Sequence, residues 1–408
     1  MRITPIKIEN QSQAQKLMTS LGVTSQGIGI LSPKSVYAVF KIEDIKSWEA
    51  NIIKQHLLSL GSDSAIERNA LIKNINTSTL IFGSVSQLNK LCVKLKNQPF
   101  NLKIIANELS LCLDNLFKTE FIFRARNKIL KIKKPAICGI INLTNDSFSG
   151  DGLLKHSLSS AQYQKIVLQK TEGMVRAGAQ MIDLGAESTR PFSKPITEAE
   201  EIKRIVPALA AIRKEFKGVM LSVDTYKLNV AKAAIEEGID VINDITALQH
   251  SPAIINLLKK HKLGAILMHM QGKPSTMQKS PHYENVTEDI RDFFKERILF
   301  LNKHKIENDY VLLDPGIGFG KSVKDNLKII KELYKIKMLG FPIFIGLSRK
   351  SFIGKTLQEP EGSRLYGTIA ANVVAYINGA NILRVHDVKE NRQALDIAFN
   401  IVNPSQNF

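Results

Sequence analysis

The sequence predicts an α/β protein, a (β/α)8 barrel preceded by a small mixed α/β N-terminal domain. Three observations predict it. The 408 residues exceed one ordinary domain and fall short of three. From Lys134 onward, strand-like apolar runs alternate with helical segments eight times over about 270 residues, the usual size of a TIM barrel. Each apolar run stops at a polar or charged side chain, as strands do at the catalytic end of such a barrel.

Residues 1–130 form the expected N-terminal extension. Ser35–Lys41 and Ser78–Ser84 are rich in β-branched and aromatic residues and read as strands. Asp44–Leu60, Ser86–Lys96 and Leu102–Leu116 carry helical apolar spacing. Asparagine-rich Asn69–Thr77 separates the first helix from the second strand. This part holds no constellation of His, Cys, Asp or Glu that reads as a site. The basic stretch Arg124–Lys134 marks the expected boundary, so 131–408 is the catalytic domain.

The strand–helix pairs then follow in order. They are Pro135–Leu143 with Ala161–Gly178, Met181–Glu187 with Thr197–Phe216, Val219–Thr225 with Lys227–Gly238, and Val241–Ile245 with Ser251–His261. The second half comprises Gly264–Met270 with Val286–Lys305, Val311–Gly316 with Val323–Leu339, Pro342–Ser348 with Ser363–Gly379, and Ile382–Asp387 with Lys389–Val402. Gly178, Gly238 and Gly379 stand where helix C-caps are expected. A doubly wound open sheet is the structural alternative; the absence of a longer mid-sheet crossover favours the barrel.

Composition narrows the function classes. The formal charge is +18, divided as 17 basic and 9 acidic residues (net +8) in 1–130 and 39 and 29 (net +10) thereafter. A basic excess spread this way describes solvated lysine faces and not a nucleic-acid module. It would also attract an anionic small substrate. No apolar run reaches the roughly 18 residues of a membrane span, and the opening MRITPIKIENQSQ has no signal-peptide core. The three cysteines, Cys92, Cys112 and Cys138, lack zinc-ligand spacing and fit a reducing cytoplasm.

The strand ends carry the chemistry. They are Asn142; Asp183 and Glu187; Asp224; Asn243 and Asp244; His269; Asp314; Ser348–Ser351; and Arg384, His386 and Asp387. Any one of these could cap a helix or pack; eight together indicate a site. Asp224, Asn243, Asp314 and Lys350 combine acceptors, an amide and a cation, a set suited to the edge of a flat heterocycle. Phe319 and Met268 could pack near such a ring. Asn142, Thr189, Arg190, Arg384 and His386 are mostly donors, suited to phosphate or pyrophosphate. Ser348-Arg349-Lys350-Ser351 could hold a carboxylate through hydroxyls and N–H groups. The inferred reaction displaces a pyrophosphate leaving group from a pterin-like ring, through orientation and charge stabilisation. Val311–Ser322 (VLLDPGIGFGKS) ends like a nucleotide P-loop, but Pro315 occupies the position where that motif requires its first glycine.

These stretches resemble the dihydropteroate synthase family of pterin-binding barrels. The matching segments are GIINLTNDSFSGDG (Gly139–Gly152), DLGAESTRP (Asp183–Pro191), SVDTYK (Ser222–Lys227), INDI (Ile242–Ile245), MHMQGKPSTMQ (Met268–Gln278), DPGIGFGK (Asp314–Lys321), GLSRKSFIG (Gly346–Gly354) and RVHDV (Arg384–Val388). They cover all eight strand ends in the family's order. IIKQHLLSLGSDSA and LKNQPFNL also resemble an extension of longer members, of unassigned role.

The resemblance implies a transferase of folate synthesis that condenses 6-hydroxymethyl-7,8-dihydropterin pyrophosphate with p-aminobenzoate. It implies a pterin site of Asp224, Asn243, Asp314, Lys350, Met268 and Gly346, and a pyrophosphate site of Asn142, Thr189, Arg384 and His386. Lys350, Asp314, Arg384 and His386 would be the catalytic set, with Mg2+ at Asn142. Thr189, Arg190, Pro191, Phe319 and Ser351 would shape the p-aminobenzoate site, where sulfonamides compete. Arg190 and Asp146 would sit on loops that close over the site. A cytoplasmic homodimer is implied, with no nucleic-acid or membrane partner. Three departures stand out: Asn145 where the family has proline, Gly150-Asp151-Gly152 where it has aspartate-glycine-glycine, and Ala186 where a second glycine is frequent. Asn145 lacks proline's restriction and should loosen the first loop. The alternatives are a pterin-dependent methyltransferase, which needs no pyrophosphate donors, and a non-catalytic pterin-binding protein.

Overall fold

The computed structural model describes residues 1–144, 159–188, 193, 195–274 and 276–403. The chain divides into Met1–Lys118 and Thr119–Phe408.

The first unit is a three-stranded antiparallel sheet with five helices. Its strands are β1 (Tyr37–Lys46), β2 (Asp63–Ile66) and β3 (Asn76–Ser84), in the order β1-β3-β2. Helix Val85–Lys96 shows the local logic. Ser84 accepts from the Gln87 N–H while the Gln87 side chain accepts from the Ser84 N–H, closing a capping box. The helix then buries Val85, Leu88, Leu91, Cys92 and Leu95, the 3–4 spacing of one face. Leu88, Leu91, Cys92 and Leu95 join Leu102, Ala106, Leu109 and Leu113 of the next helix and Ile53, Leu57 and Ile81 in one core. Helices Gln11–Ser20 and Ser25–Ser35 and the short β2 lie outside the sequence expectation. Both helices carry an N-cap signal, Asn10 and Thr24, but bury only Ala14 and Ser32, so their apolar pattern is weak.

The second unit opens with a hairpin of β4 (Phe121–Ala125) and β5 (Lys128–Ile132). Sequence placed a domain boundary here, at 130/131. The division instead falls before the hairpin, because its apolar side chains belong to the barrel. Eight parallel strands follow: β6 (Ala136–Asn142), β7 (Met181–Gly185), β8 (Met220–Asp224), β9 (Val241–Asp244), β10 (Gly264–Met268), β11 (Val311–Asp314), β12 (Phe344–Ile345) and β13 (Ile382–Val385). They pair in the order β11-β10-β9-β8-β7-β6-β13-β12. The Leu313–Ile343 bridge and the Leu313 N–H donating to Pro342 O join the two ends. The sheet is therefore a closed barrel, which excludes the doubly wound alternative.

Strand residues buried on both faces explain the near-continuous apolar runs. Alternate residues feed the outer core beneath the helices, among them Ile137, Ile182, Leu221, Ile242, Leu267 and Leu313. The others fill the barrel and its N-terminal end, where Phe121 and Phe123 of the hairpin pack with Met181, Met220, Ile266 and Phe344. A β-carbon on Gly264 would lie 2.5 Å from the Phe123 ring, so the strand has no room for a side chain there. This plug holds the strands at the end away from the site.

Phe123 is fully buried in that plug. Phe123→Ala should destabilise the full chain by about 3–5 kcal/mol, the usual result of emptying a large aromatic site, as read by urea unfolding. A loss below about 1 kcal/mol would place the hairpin outside the cooperative unit.

Candidate active site

The strand register sets one level of the site. Asn142 pairs with Gly185, Gly185 with Asp224, and Asp224 with Asn243, so three polar side chains reach the C-terminal rim together. Arg384 enters from β13, beside β6. Its Nε donates to Asp183 Oδ2 at 2.6 Å and its Nη2 to Asp224 Oδ2 at 3.1 Å. Asn243 Nδ2 donates to that same Asp183 oxygen at 3.1 Å. Four expected or neighbouring groups thus form one network. Burial pushes the Asp224 carboxyl up to about 7, with Asp183 adding repulsion, while Arg384 opposes the shift. Gly346 faces the Arg384 stem, with a hypothetical β-carbon 3.7 Å from its Cβ.

The opposite wall is built by β10, β11 and the segment after β12. Asp314 pairs in register with Met268 and is nearly buried. Its Oδ1 accepts from the Gly316 N–H at 2.8 Å. Burial raises its pKa, and Lys350, Gly316 N–H and Arg384 hold it down. Lys350 Nζ donates to Ile317 O and lies 4.8 Å from the centre of the Phe319 ring. Burial pulls the Lys350 ammonium down to about 8, against the attraction of Asp314. Asp314, Lys350, Asp224 and Arg384 therefore act on one another across the barrel mouth.

The third cluster contains donors. His386 Nδ1 is 3.0 Å from Ser348 Oγ, and its Nε2 is 3.4 Å from Asn142 Nδ2. Ser348 was missed as His386's partner, since nothing in a lone serine after a strand marks it as one. Ser351 begins helix Ser351–Leu357 and is exposed. Ser348–Ser351 was expected to offer hydroxyls and N–H groups to a carboxylate, and two of those N–H groups are engaged within the protein. The Arg349 N–H donates to Thr368 Oγ1 and the Lys350 N–H to Leu347 O. Arg349 itself turns to Asp387, with Nε at 3.1 Å and Nη2 at 2.6 Å. Arg349 and Asp387 thus fix the backbone between Ser348 and Lys350.

Other strand-end groups hold loops. Asp244 accepts from the Thr246 N–H and hydroxyl and from the Leu248 N–H, closing a turn. Glu187 accepts from Tyr226 Oη at 2.8 Å and Lys227 Nζ at 2.5 Å, and Lys227 also binds Glu201. Lys321, seven residues after Asp314, also holds a loop. Its Nζ meets His269 Nδ1 at 3.0 Å and the carbonyls of Phe319 and His269. Burial and Lys321 keep His269 neutral, with a pKa well below its usual value. The glycines after Asp314 make room for this turn. β-Carbons on Gly316 and Gly320, both at positive φ, would strike His269 O at 2.0 Å and Gln271 O at 2.4 Å.

A cavity of about 400 Å3 opens beside this wall, with Met268, Met270, Phe293, Tyr226 and His250 in its lining. Thr189, Arg190 and Pro191, like Asn145, Asp146 and Gly150-Asp151-Gly152, lie outside the described residues. Among the described residues no group of His, Cys, Asp and Glu is arranged to hold a metal.

A family model described as pterin binding enzyme matches residues 138–386, from β6 to His386. A dihydropteroate synthase of Haemophilus influenzae is 41% identical over 273 residues, 67% of this chain and 96% of the relative. A bifunctional dihydropteroate synthase/dihydropteroate reductase of Helicobacter pylori is 30% identical over 388 residues, 94% of this chain and 96% of the relative. The Yersinia pestis dihydropteroate synthase, solved with a sulfonamide drug, superposes with a TM-score of 0.65 at 38% identity. That match covers 69% of this chain and all of the other. The chain belongs to the pterin-binding enzyme family, in its dihydropteroate synthase branch.

Proposed function

We infer that the chain is a dihydropteroate synthase, condensing 6-hydroxymethyl-7,8-dihydropterin pyrophosphate with p-aminobenzoate to 7,8-dihydropteroate and pyrophosphate. The observation that carries the reading is the pairing of two chemistries at one barrel mouth. Buried acceptors with a lysine face donors built on Arg384 and His386.

That geometry supports the following roles for the described residues. Asp224 and Asp314 accept from ring N–H and amino groups, Asn243 adds an amide, and Lys350 donates to the ring's acceptor edge. Met268 and Phe319 flank the ring, and Gly346 leaves space for Arg384. The C–O bond to pyrophosphate breaks and its electron pair leaves with the phosphate. Arg384, His386 and Asn142 receive the growing charge through charge-assisted hydrogen bonds. The arylamine nitrogen bonds to the methylene carbon and loses its proton. Carboxylates beside the ring favour a cationic methylene, which supports departure of pyrophosphate before attack. The family resemblance assigns Thr189, Arg190, Pro191, Phe319 and Ser351 to the p-aminobenzoate side, where sulfonamides would compete.

The donor set fits Mg2+ arriving with pyrophosphate better than a resident ion. Asn142 directs Nδ2 toward His386, so its Oδ1 would be the atom to hold a hard cation. The ion would screen charge on the leaving group. A homodimer is supported by exposed apolar residues on the last two helices, Tyr366, Val374, Ile377, Ile397 and Ile401. Light scattering should give twice the chain mass. No helix among the described residues is long and apolar enough to cross a membrane, and a cytoplasmic location accords with three cysteines that form no disulfide. A second activity, reduction of the dihydropteroate, is favoured by the Helicobacter pylori relative, whose match extends past the barrel through 94% of this chain. Product-dependent oxidation of a reduced flavin or nicotinamide would test it.

The purified chain should release pyrophosphate only when both substrates are present. Pterin binding without release would leave the non-catalytic reading. Lys350→Ala and Arg384→Ala should each lower kcat/KM by about 10²-fold or more while the chain stays folded; wild-type rates would refute their roles. The pH profile adds a separate check. Asp224 must be ionised, which happens above about 7; Lys350 must be protonated, which happens below about 8. The kcat/KM for the pterin substrate should therefore peak between these values and fall on both sides. Lys350→Ala should remove the alkaline limb, and an unchanged limb would assign it to another group.

A further inference from the structure

We propose that Asp183, which touches no substrate in this reading, is a positioning residue that orients both Arg384 and Asn243 toward the ligand. The proposal rests on the synthase reading above.

Asp183 stands two residues before Gly185 on β7, one level below the Asp224–Asn243 rim. It is fully buried. One oxygen, Oδ2, accepts from both Arg384 Nε and Asn243 Nδ2. The other, Oδ1, has no hydrogen-bond partner among the described residues. A structural ion pair with arginine gains most from a bidentate fork that occupies both oxygens. Here the guanidinium is gripped from its Nε side instead, leaving the Nη end toward Asp224 and the mouth. Leaving a carboxylate oxygen buried without a partner is costly. That cost is understandable if the one-oxygen grip is what aims the arginine.

The contact to Asn243 has a second effect. A carboxylate can only accept, so the amide must turn its nitrogen to Asp183. Asn243 then presents Oδ1 and one N–H to a ring, and the reverse orientation is excluded. Asp183 thereby couples the pyrophosphate side of the site to the ring side through a single atom. The register partner of Asp183 on β8, Ser222, is also buried, and its hydroxyl has no hydrogen-bond partner among the described residues. It offers a control at the same level that touches neither ligand group.

The test compares Asp183→Asn, Ser222→Ala and wild type in the pyrophosphate-release assay, with far-UV circular dichroism of each. Asp183→Asn should fold, raise KM for the pterin pyrophosphate and lower kcat, reducing kcat/KM by about 10²-fold. KM for p-aminobenzoate should stay within about twofold, and product inhibition by pyrophosphate should weaken. Ser222→Ala should match wild type. Because Asp183 acts through Arg384 as well as Asn243, the double variant Asp183→Asn/Arg384→Ala should lose less than the two single losses combined. Unchanged constants in Asp183→Asn, a change in melting temperature alone, or losses that simply add would overturn the positioning role. A wild-type chain that releases no pyrophosphate would overturn the synthase reading instead.

Discussion

Everything at the barrel mouth depends on one buried cation. Arg384 sits between two carboxylates, Asp183 and Asp224, in a place where any of the three alone would be costly to bury. Its charge opposes the rise of the Asp224 pKa and helps restrain that of Asp314. Without it, desolvation and mutual repulsion would drive these acids to neutrality, and neutral acids read a donor-rich ring edge poorly. The same guanidinium is the strongest donor available to a leaving pyrophosphate. In the proposed reaction, ring recognition and leaving-group stabilisation would both draw on this side chain, which barrel closure delivers on β13 beside β6.

Around that cation the molecule separates what acts from what holds. Lys350, Asp314, Asn243 and His386 face the mouth. Arg349, Asp387, Asp244, Glu187, Lys227 and Lys321 carry equal chemical potential but spend it on loop backbone or one another. Lys321 is the instructive case. It follows Asp314 by seven residues in a glycine-rich turn, yet it is buried against His269 and two carbonyls. It pins the turn after β11 to the end of β10, and Gly316 and Gly320 allow those two backbones to touch.

The barrel was legible because its signal is physical and repeated. Buried parallel strands demand short unbroken apolar runs, their helices demand a 3.6-residue stripe, and eight copies leave little room for another topology. Asp224, Asn243, Asp314, Lys350, Arg384 and His386 were legible because each interrupts such a run where burial alone would call for an apolar residue. What was illegible depends on distance in space. Nothing local says that Arg349 pairs with Asp387 while its neighbour Lys350 points to Phe319. Asp183 appeared only as one polar strand residue among several; its hold on Arg384, 201 residues away, is set by barrel closure. The hairpin Phe121–Ile132 was read as a domain boundary because four basic residues, Arg124, Arg126, Lys128 and Lys131, masked a period-2 apolar pattern, Phe121, Phe123, Ala125, whose partners lie at the barrel's base.

In the proposed reaction, one face of the mouth reads the ring and the other takes the pyrophosphate. A crystal structure of the chain with 6-hydroxymethyl-7,8-dihydropterin pyrophosphate tests it most directly. The account predicts the ring edge on Asp224, Asn243, Asp314 and Lys350, with the diphosphate against Arg384, His386 and Asn142. A ring bound elsewhere, such as in the neighbouring cavity lined by Tyr226 and His250, or a diphosphate that leaves Arg384 untouched, would contradict it.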